Sequence, residues 1–213
     1  LPTGHRFPME KYRRLRQHVV RSEHHLCDTL IVPPAATNAQ LLSCHTQRYV
    51  NAVCNGSLSP SEIRRIGFPW SEQMVERSRR STGATLAASR AALVDGISVN
   101  LAGGTHHAMR DAGEGYCVFN DAAVTIRTLQ QENVIQRACV IDLDVHQGNG
   151  TAEILANDQT AFTLSLHGVK NFPIRKSPSD LDVNLEDGTT DLQYILALRE
   201  ALPQLNTQAP NAL

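Results

Sequence analysis

The sequence predicts an α/β fold built on a largely parallel sheet. From about residue 97, short apolar runs alternate with amphipathic stretches of helical length. The polar, glycine-containing motifs also fall at the ends of those apolar runs, where open α/β sheets form their sites. The 213 residues suit one large domain with a substantial core, so 1–213 reads as a single domain.

The N-terminal third reads as helical and polar. Met9, Tyr12, Leu15 and Val19 form one apolar stripe, which predicts a helix over Met9 to Val20. After Pro33-Pro34, Leu41, Leu42, His45, Tyr49 and Val53 predict a second helix from Thr37 to Val53. Residues 57–70 read as an irregular connection punctuated by Gly and Pro. Ser71 to Asp95 predicts a long helix or a broken pair, weakened at Gly83, whose alanines imply close packing. Ile97 to Leu101 is a short apolar run ending at Gly103-Gly104. Asp121 to Gln131 reads as a helix capped by Asn120. Ala138 to Leu143 is an apolar run with an acidic end, the pattern of a buried parallel strand. Thr151 to Ala156 restarts a helix with Thr151 as its cap, Ala161 to Leu166 is a further strand, and Asp191 to Leu205 a further helix.

Lys and Arg total 20 against 21 Asp and Glu, a net charge of −1. That balance gives no support for binding nucleic acid directly. Cys27, Cys44, Cys54, Cys117 and Cys139 are scattered and odd in number, which suits a reducing cytoplasm better than a disulfide framework. No apolar run approaches the roughly 20 residues that span a bilayer. Leu1-Pro2, without an initiator Met, reads as the tail of a loop, so the sequence is expected to be a piece of a longer chain.

The chemistry concentrates in two places. In Val140-Ile141-Asp142-Leu143-Asp144-Val145-His146, extended backbone would put 142, 144 and 146 on one face. Two carboxylates and an imidazole there suit Zn²⁺ or Fe²⁺, and a cation offsets the cost of burying the acids. Gly148 and Gly150 would then turn the chain tightly into the next helix. A single strand-end Asp would be an ordinary cap; the combined pattern is specific. The second place is His106-His107, flanked by Gly103-Gly104 and by Gly113-Glu114-Gly115-Tyr116-Cys117. A histidine pair alone is weak evidence, and His24-His25, lacking such a context, is assigned no role.

Taken together, Gly103-Gly104-Thr105-His106-His107-Ala108, Gly115-Tyr116-Cys117-Val118-Phe119-Asn120-Asp121 and Asp142-Leu143-Asp144-Val145-His146-Gln147-Gly148-Asn149-Gly150 resemble the histone deacetylase family of metal-dependent amidohydrolases. Thr163-Leu164-Ser165-Leu166-His167 and Gly4-His5-Arg6-Phe7-Pro8 match as well, and the bacterial class IV-like members are nearest. The resemblance implies a three-layer arginase/deacetylase-like α/β fold, incomplete at its C-terminal side. It implies removal of acetyl or acyl groups from N-acetyl-lysine in a protein or peptide, or from an acetylated small amine. Asp144 and His146 would be metal ligands for Zn²⁺, with Fe²⁺ the alternative. His106 and His107 would be catalytic, His107 the better general base and acid. Asp142 would orient His106 and Asn149 would orient His107. An amide partner implies that His107 holds its proton less tightly than a carboxylate partner would allow. Gly115 would contact the substrate amide, Tyr116 and Phe172 would wall the tunnel, and Arg6 would line an inner cavity. Tyr116 stands where phenylalanine is more usual. Asp142, Asp144, His146, Ser165 and Leu166 would supply oxygens to a structural K⁺.

The family's third ligand, an aspartate, and its oxyanion-binding tyrosine have no counterpart here. Tyr194 lies inside the Asp191 to Leu205 helix and reads as packed, while Asp180, Asp182, Asp187 and Asp191 read as turn and cap residues. Pro210-Asn211-Ala212-Leu213 reads as the approach to a further strand. The chain alone is therefore expected to be inactive and aggregation-prone, with an unpaired sheet edge. An acetylpolyamine or other small-amide hydrolase is the nearest alternative. After it come an arginase-like ureohydrolase, which the single Asp-x-Asp-x-His disfavours, and a catalytically dead module that binds acylated ligands. No pattern encodes an oligomeric state.

Overall fold

A computed structural model describes residues 1–2, 4–22 and 30–208. Among the described residues, eight helices and three strands run in the order α1 (Glu10–Arg21), α2 (Asn38–Leu42), α3 (Gln47–Asn55), α4 (Pro60–Ile66), α5 (Glu72–Asp95), α6 (Asp121–Gln131), β1 (Ala138–Asp142), α7 (Asn149–Leu155), β2 (Ala161–Gly168), β3 (Leu181–Leu185) and α8 (Asp191–Gln208). The strands pair in parallel in the order β1-β2-β3, with Asp142 opposite Ser165.

Side-chain alternation along β2 builds a core on each face of the sheet. Phe162, Leu164 and Leu166 point to α8, where Ala201, Tyr194 and Leu198 meet them. Ala161 joins the larger core of α2, α3, α5, α6 and α7, centred on Tyr49, Phe68, Phe119 and Leu41. The result is the expected three-layer α/β arrangement. β2 is buried along its length because it has a neighbour on each side. β1 has one partner among the described residues, so the expected fully buried strand is instead half-exposed, with Ile141 at 43%. Leu143 and Val145 beyond it, and Leu192, Ile195 and Leu196 on α8, are exposed too.

Several elements differ from the sequence expectation, each for a local reason. The helix foreseen over Thr37 to Val53 is two helices, because Thr37 and Thr46 each cap a separate start. The connection at 57–70 contains α4, started by a Ser59–Glu62 capping box with Pro60 in its first turn and ended by Gly67 in the left-handed region. Ile97 to Leu101 forms no strand. Ile97 and Val99 are exposed, and the Asn100 side chain instead bonds Ser81 O, Thr85 Oγ1 and the Ala102 N–H. α7 begins at Asn149, and Thr151 is not its cap but a buried partner of Asn120. Asp182 belongs to the unforeseen strand β3, not to a turn, and accepts from Gln147 Nε2 and Ser179 N. Asp180 accepts from the Thr163 N–H and hydroxyl, so it is a strand clamp. His24-His25, Cys27 and the segment Pro210 to Leu213 lie outside the described residues. No helix among the described residues is long and apolar enough to cross a membrane.

α5 is one continuous helix rather than a broken pair, capped by Ser71 and stopped at Gly96. Its close packing is carried by Ser81, Thr82 and Gly83, all buried, more than by its half-buried alanines. Gly83 is where residues 34–36 cross the helix: a Cβ there would run into Pro34 O and sit 3.0 Å from Ala36 N. Replacing a mid-helix glycine by alanine ordinarily stabilises by about 1 kcal/mol. Here the obstacle is backbone, so Gly83→Ala is expected to destabilise by about 2 kcal/mol or more. Urea denaturation checks the sign; a stabilised variant would show that the 34–36 crossing yields freely.

Candidate active site

The site begins where β1 stops. The strand ends at Asp142, so 142, 144 and 146 are not brought together by continued extension as expected. Two successive Asx turns do it instead: Asp144 N donates to Asp142 Oδ1 (3.0 Å), and His146 N donates to Asp144 Oδ1 (2.8 Å). All three side chains line one cavity of about 810 Å³, together with His106, His107, Gly115, Tyr116 and Phe172. His146 Nδ1 lies 2.9 Å from Asp144 Oδ1. Among the described residues, no three or more His, Cys, Asp or Glu gather as a set able to hold a metal ion.

The histidine pair sits across from this turn, its two ring centroids 4.1 Å apart. His106 Nδ1 is 2.5 Å from Asp142 Oδ2, and His107 Nδ1 is 2.7 Å from Asn149 Oδ1. Asp121, at 2% exposure, fixes the chain just before them. It accepts from Gly104 N (2.9 Å), Thr105 N (2.9 Å), Thr105 Oγ1 (2.8 Å) and Thr85 Oγ1 (2.6 Å). The His106 carbonyl receives Thr151 N from α7, and the Ala108 carbonyl receives Asn120 Nδ2. Sequence reasoning assigned Asp121 no role, although its place in the Gly115 to Asp121 motif, directly after a helix cap, was the available signal. Gly148 and Gly150 serve close approach rather than a turn of unusual φ. A Cβ would run into Asp142 at the first and Ala108 O at the second.

The walls are defined by close approach as well. Gly115 has φ +55°, and a Cβ on it would lie 2.7 Å from His107 Cδ2. Tyr116, at φ 67°, turns its ring onto Phe7 and Phe68 with centroids 5.0 and 5.2 Å away. Phe172 stands edge-on to His107 at 4.9 Å. Arg6 differs from the expectation. It is exposed and does not line the cavity, because Phe7 takes the inward position on Phe68 and Tyr116. The Tyr194 hydroxyl donates to Leu143 O (3.3 Å), a packing role. Ser165 is paired with Asp142 in register but bonds its hydroxyl to His167 Nδ1, while the Leu166 side chain fills the α8 core.

Electrostatics separates the two histidines. Burial alone would lower His106, but its hydrogen bond to Asp142 and the charges of Asp142, Asp144 and Asp121 outweigh burial and raise its pKa. Burial and the neighbouring His106 push His107 down to about 4, and the Asn149 amide does not offset them. Asp144 loses solvation, yet the His146 N–H and the nearby imidazoles hold its carboxyl below the usual range.

The chain matches the histone deacetylase domain over residues 5–213. An uncharacterised protein from Picosynechococcus sp. is 42% identical over 208 residues, covering 98% of this chain and 69% of that one. Histone deacetylase 2 of Arabidopsis thaliana is 29% identical over 93% of this chain and 54% of its own length. The crystal structure of a histone deacetylase homologue from Aquifex aeolicus superposes with a TM-score of 0.75 at 26% identity, covering 92% of this chain and 57% of that one. The chain thus spans little more than half the length of the plant protein and of the Aquifex structure.

The loop that carries both histidines is also tied down by His45, which is 3% exposed. Its Nδ1 donates to Met109 O (2.9 Å), and its Nε2 accepts from Asn120 N (3.0 Å), so the neutral ring satisfies both. Burial pushes its pKa to about 4. The unfolded chain binds this proton near pH 6.5 and the folded chain near 4, so stability present above pH 6.5 is lost as pH falls toward 4, by about 3 kcal/mol from this ring. His45→Phe is expected to be less stable at neutral pH and to lose less between pH 7 and 5 in chemical denaturation. An unchanged pH slope would remove His45 from the account.

Proposed function

The chain belongs to the histone deacetylase family, and from that premise we propose that its cavity hydrolyses the amide joining an acyl group to an amine. N-acetyl-lysine is the leading substrate and acetylated small amines are second. The observation that carries this reading is the histidine pair, one ring held by a carboxylate and its neighbour by an amide, with their proton affinities driven apart. Titratable neighbours pushed in opposite directions divide acid and base work between them.

At neutral pH His107 is uncharged. With Nδ1–H donated to Asn149 Oδ1, its Nε2 lone pair is free to take a proton from the attacking water and return it to the leaving nitrogen. His106, held toward its charged form by Asp142, places positive potential beside the oxyanion that develops on the carbonyl. The Gly115 N–H is already bonded to Arg65 O, and its carbonyl, which takes only a weak bond from Cys117 Sγ (3.6 Å), keeps a lone pair to receive the substrate N–H. Tyr116 and Phe172 would flank the acyl-lysine stem.

Asp144 and His146 would hold a divalent cation, Zn²⁺ or Fe²⁺. Asp144 Oδ1 and His146 Nδ1 face each other on the cavity wall across a 2.9 Å hydrogen bond, an oxygen and a nitrogen donor of the kinds both ions accept, and a cation would take the place of the shared proton. Such an ion, when bound, supplies Lewis acidity to the carbonyl and acidifies water. Asp142 and Ser165, side by side in register, with Asp144, His146 and Leu166 close by in sequence, are the donors we assign to a structural K⁺. Because no third donor joins Asp144 and His146 among the described residues, we propose that the chain alone holds the catalytic ion weakly and turns over little.

The test measures acetate release from an acetyl-lysine peptide and from N-acetylated polyamines, with Zn²⁺ or Fe²⁺ added. It compares this chain alone with the same chain joined to the remaining part of the Picosynechococcus relative. The chimera is expected to be active, and His107→Ala in it to lower kcat by about 10²–10⁴. A chimera silent on both substrate classes would sink the amidohydrolase reading. Brisk turnover by the chain alone would overturn the two-donor argument only.

A further inference from the structure

The carbonyl and amino ends of an Asn side chain differ in what they can bond, so the action of Asn149 on His107 depends on which end faces the ring. Asn149 is 1% exposed, and its Oδ1 faces His107 Nδ1 at 2.7 Å. Its Nδ2 points the other way, 3.4 Å from Glu114 Oε2. A carboxylate has only acceptors, so it selects the Nδ2 end. The reversed amide would set oxygen against oxygen at Glu114.

Glu114 is itself held from two directions. Arg65 spans its carboxylate, Nε to Oε1 at 3.2 Å and Nη2 to Oε2 at 3.4 Å. The main chain is fixed by Glu114 N to Cys117 O (3.0 Å), Cys117 N to Glu114 O (2.8 Å) and Gly115 N to Arg65 O (3.2 Å). One arginine at the end of α4 therefore holds the loop by its carbonyl and the carboxylate by its guanidinium. The Glu114 side chain is 19% exposed and that of Arg65 is 42%, so the relay runs from the surface to the buried amide.

We propose that Glu114, gripped by Arg65, is a positioning residue that sets the amide of Asn149 and thereby the tautomer of His107, keeping hydrogen on Nδ1 and the lone pair on Nε2. The inference deepens the reading of His107 as the proton-transfer group and rests on it for its catalytic meaning. The hydrogen-bond chain itself does not depend on that reading. Without Glu114 the two amide orientations approach equality. The flipped form offers Nδ2 to His107 Nδ1 and moves hydrogen to Nε2, the atom that must be bare to accept a proton.

The tautomer is read directly by long-range ¹H–¹⁵N correlation on the whole chain with ¹⁵N-labelled histidine, without added metal at neutral pH. His107 is assigned by the signals lost in His107→Phe. The native chain is expected to show His107 protonated at Nδ1. In Glu114→Ala the Nε2-protonated form is expected to rise about fivefold, the effect of losing one ordinary hydrogen bond. Glu114→Gln, whose amide can rotate to present either its oxygen or its NH2 to Asn149, selects less well and is expected to fall between the native chain and Glu114→Ala. Arg65→Ala should fall between the two. If Glu114→Ala does not fold, Glu114→Met fills the same space without an acceptor and is read in its place. A native His107 signal in the Ala or Met variant overturns the proposal. The measurement needs no turnover. In the active chimera Glu114→Ala is then expected to lower kcat more than it raises KM. A tautomer shift with no catalytic change would retain the relay and discard the assignment of His107 as the base.

Discussion

Asp121 is almost fully buried, and no cation among the described residues is paired with it; four donors from Thr85, Gly104 and Thr105 surround it instead. Burying a carboxylate on those terms costs several kcal/mol unless every oxygen is satisfied, and here each oxygen receives two bonds. The arrangement is therefore unforgiving. The Gly104-Thr105 turn has one place to sit, and His106 and His107 follow from it. Because Asp121 also opens α6, which packs on α5, its side chain transmits the register of both helices to the histidines from one end of the loop, while Asn120 and His45 hold the other.

From that anchor, the chemical difference between two adjacent histidines becomes a matter of what lies beneath each ring. The end of β1 puts a carboxylate under His106, and the start of α7 puts an amide under His107. Neighbours in sequence, sharing one cavity and 4.1 Å apart, they are nevertheless driven in opposite directions. The sheet and α7 thus act as a template of acceptors of unequal charge, and the chain that carries the histidines contributes their placement.

The parts legible in the sequence were those whose chemistry allows few alternatives. An apolar run ending in Asp142-Leu143-Asp144-Val145-His146 and a glycine-flanked histidine pair mark strand-end chemistry whatever the surrounding packing. The structure brings those groups into one cavity, though through Asx turns rather than continued strand. What escaped notice depends on partners distant in sequence. β3 is short and half polar, and becomes a strand because β2 offers it an edge; its Asp182 resembles a turn residue until Gln147 is seen beside it. α4 was hidden by the Gly and Pro around it, although its Ser59–Glu62 box was readable. The apolar Ile97 to Leu101 run promised a strand, but Asn100 finds better partners on α5 than a sheet would give it. Arg6 was placed by motif alone, and the inward turn of Phe7 decides otherwise.

β1 carries half of the site at its end, yet it has a strand on one side only among the described residues, and Ile141, Leu143 and Val145 face outward. A strand with one neighbour opens locally at lower free energy than one with two, so amide exchange should be faster at this border of the sheet than along β2. Occupancy of the cavity and pairing of that edge draw on the same ordering of Asp142 to His146. Each is then thermodynamically linked to the other: whatever closes the edge raises affinity in the cavity, and whatever fills the cavity tightens the edge by an equal amount.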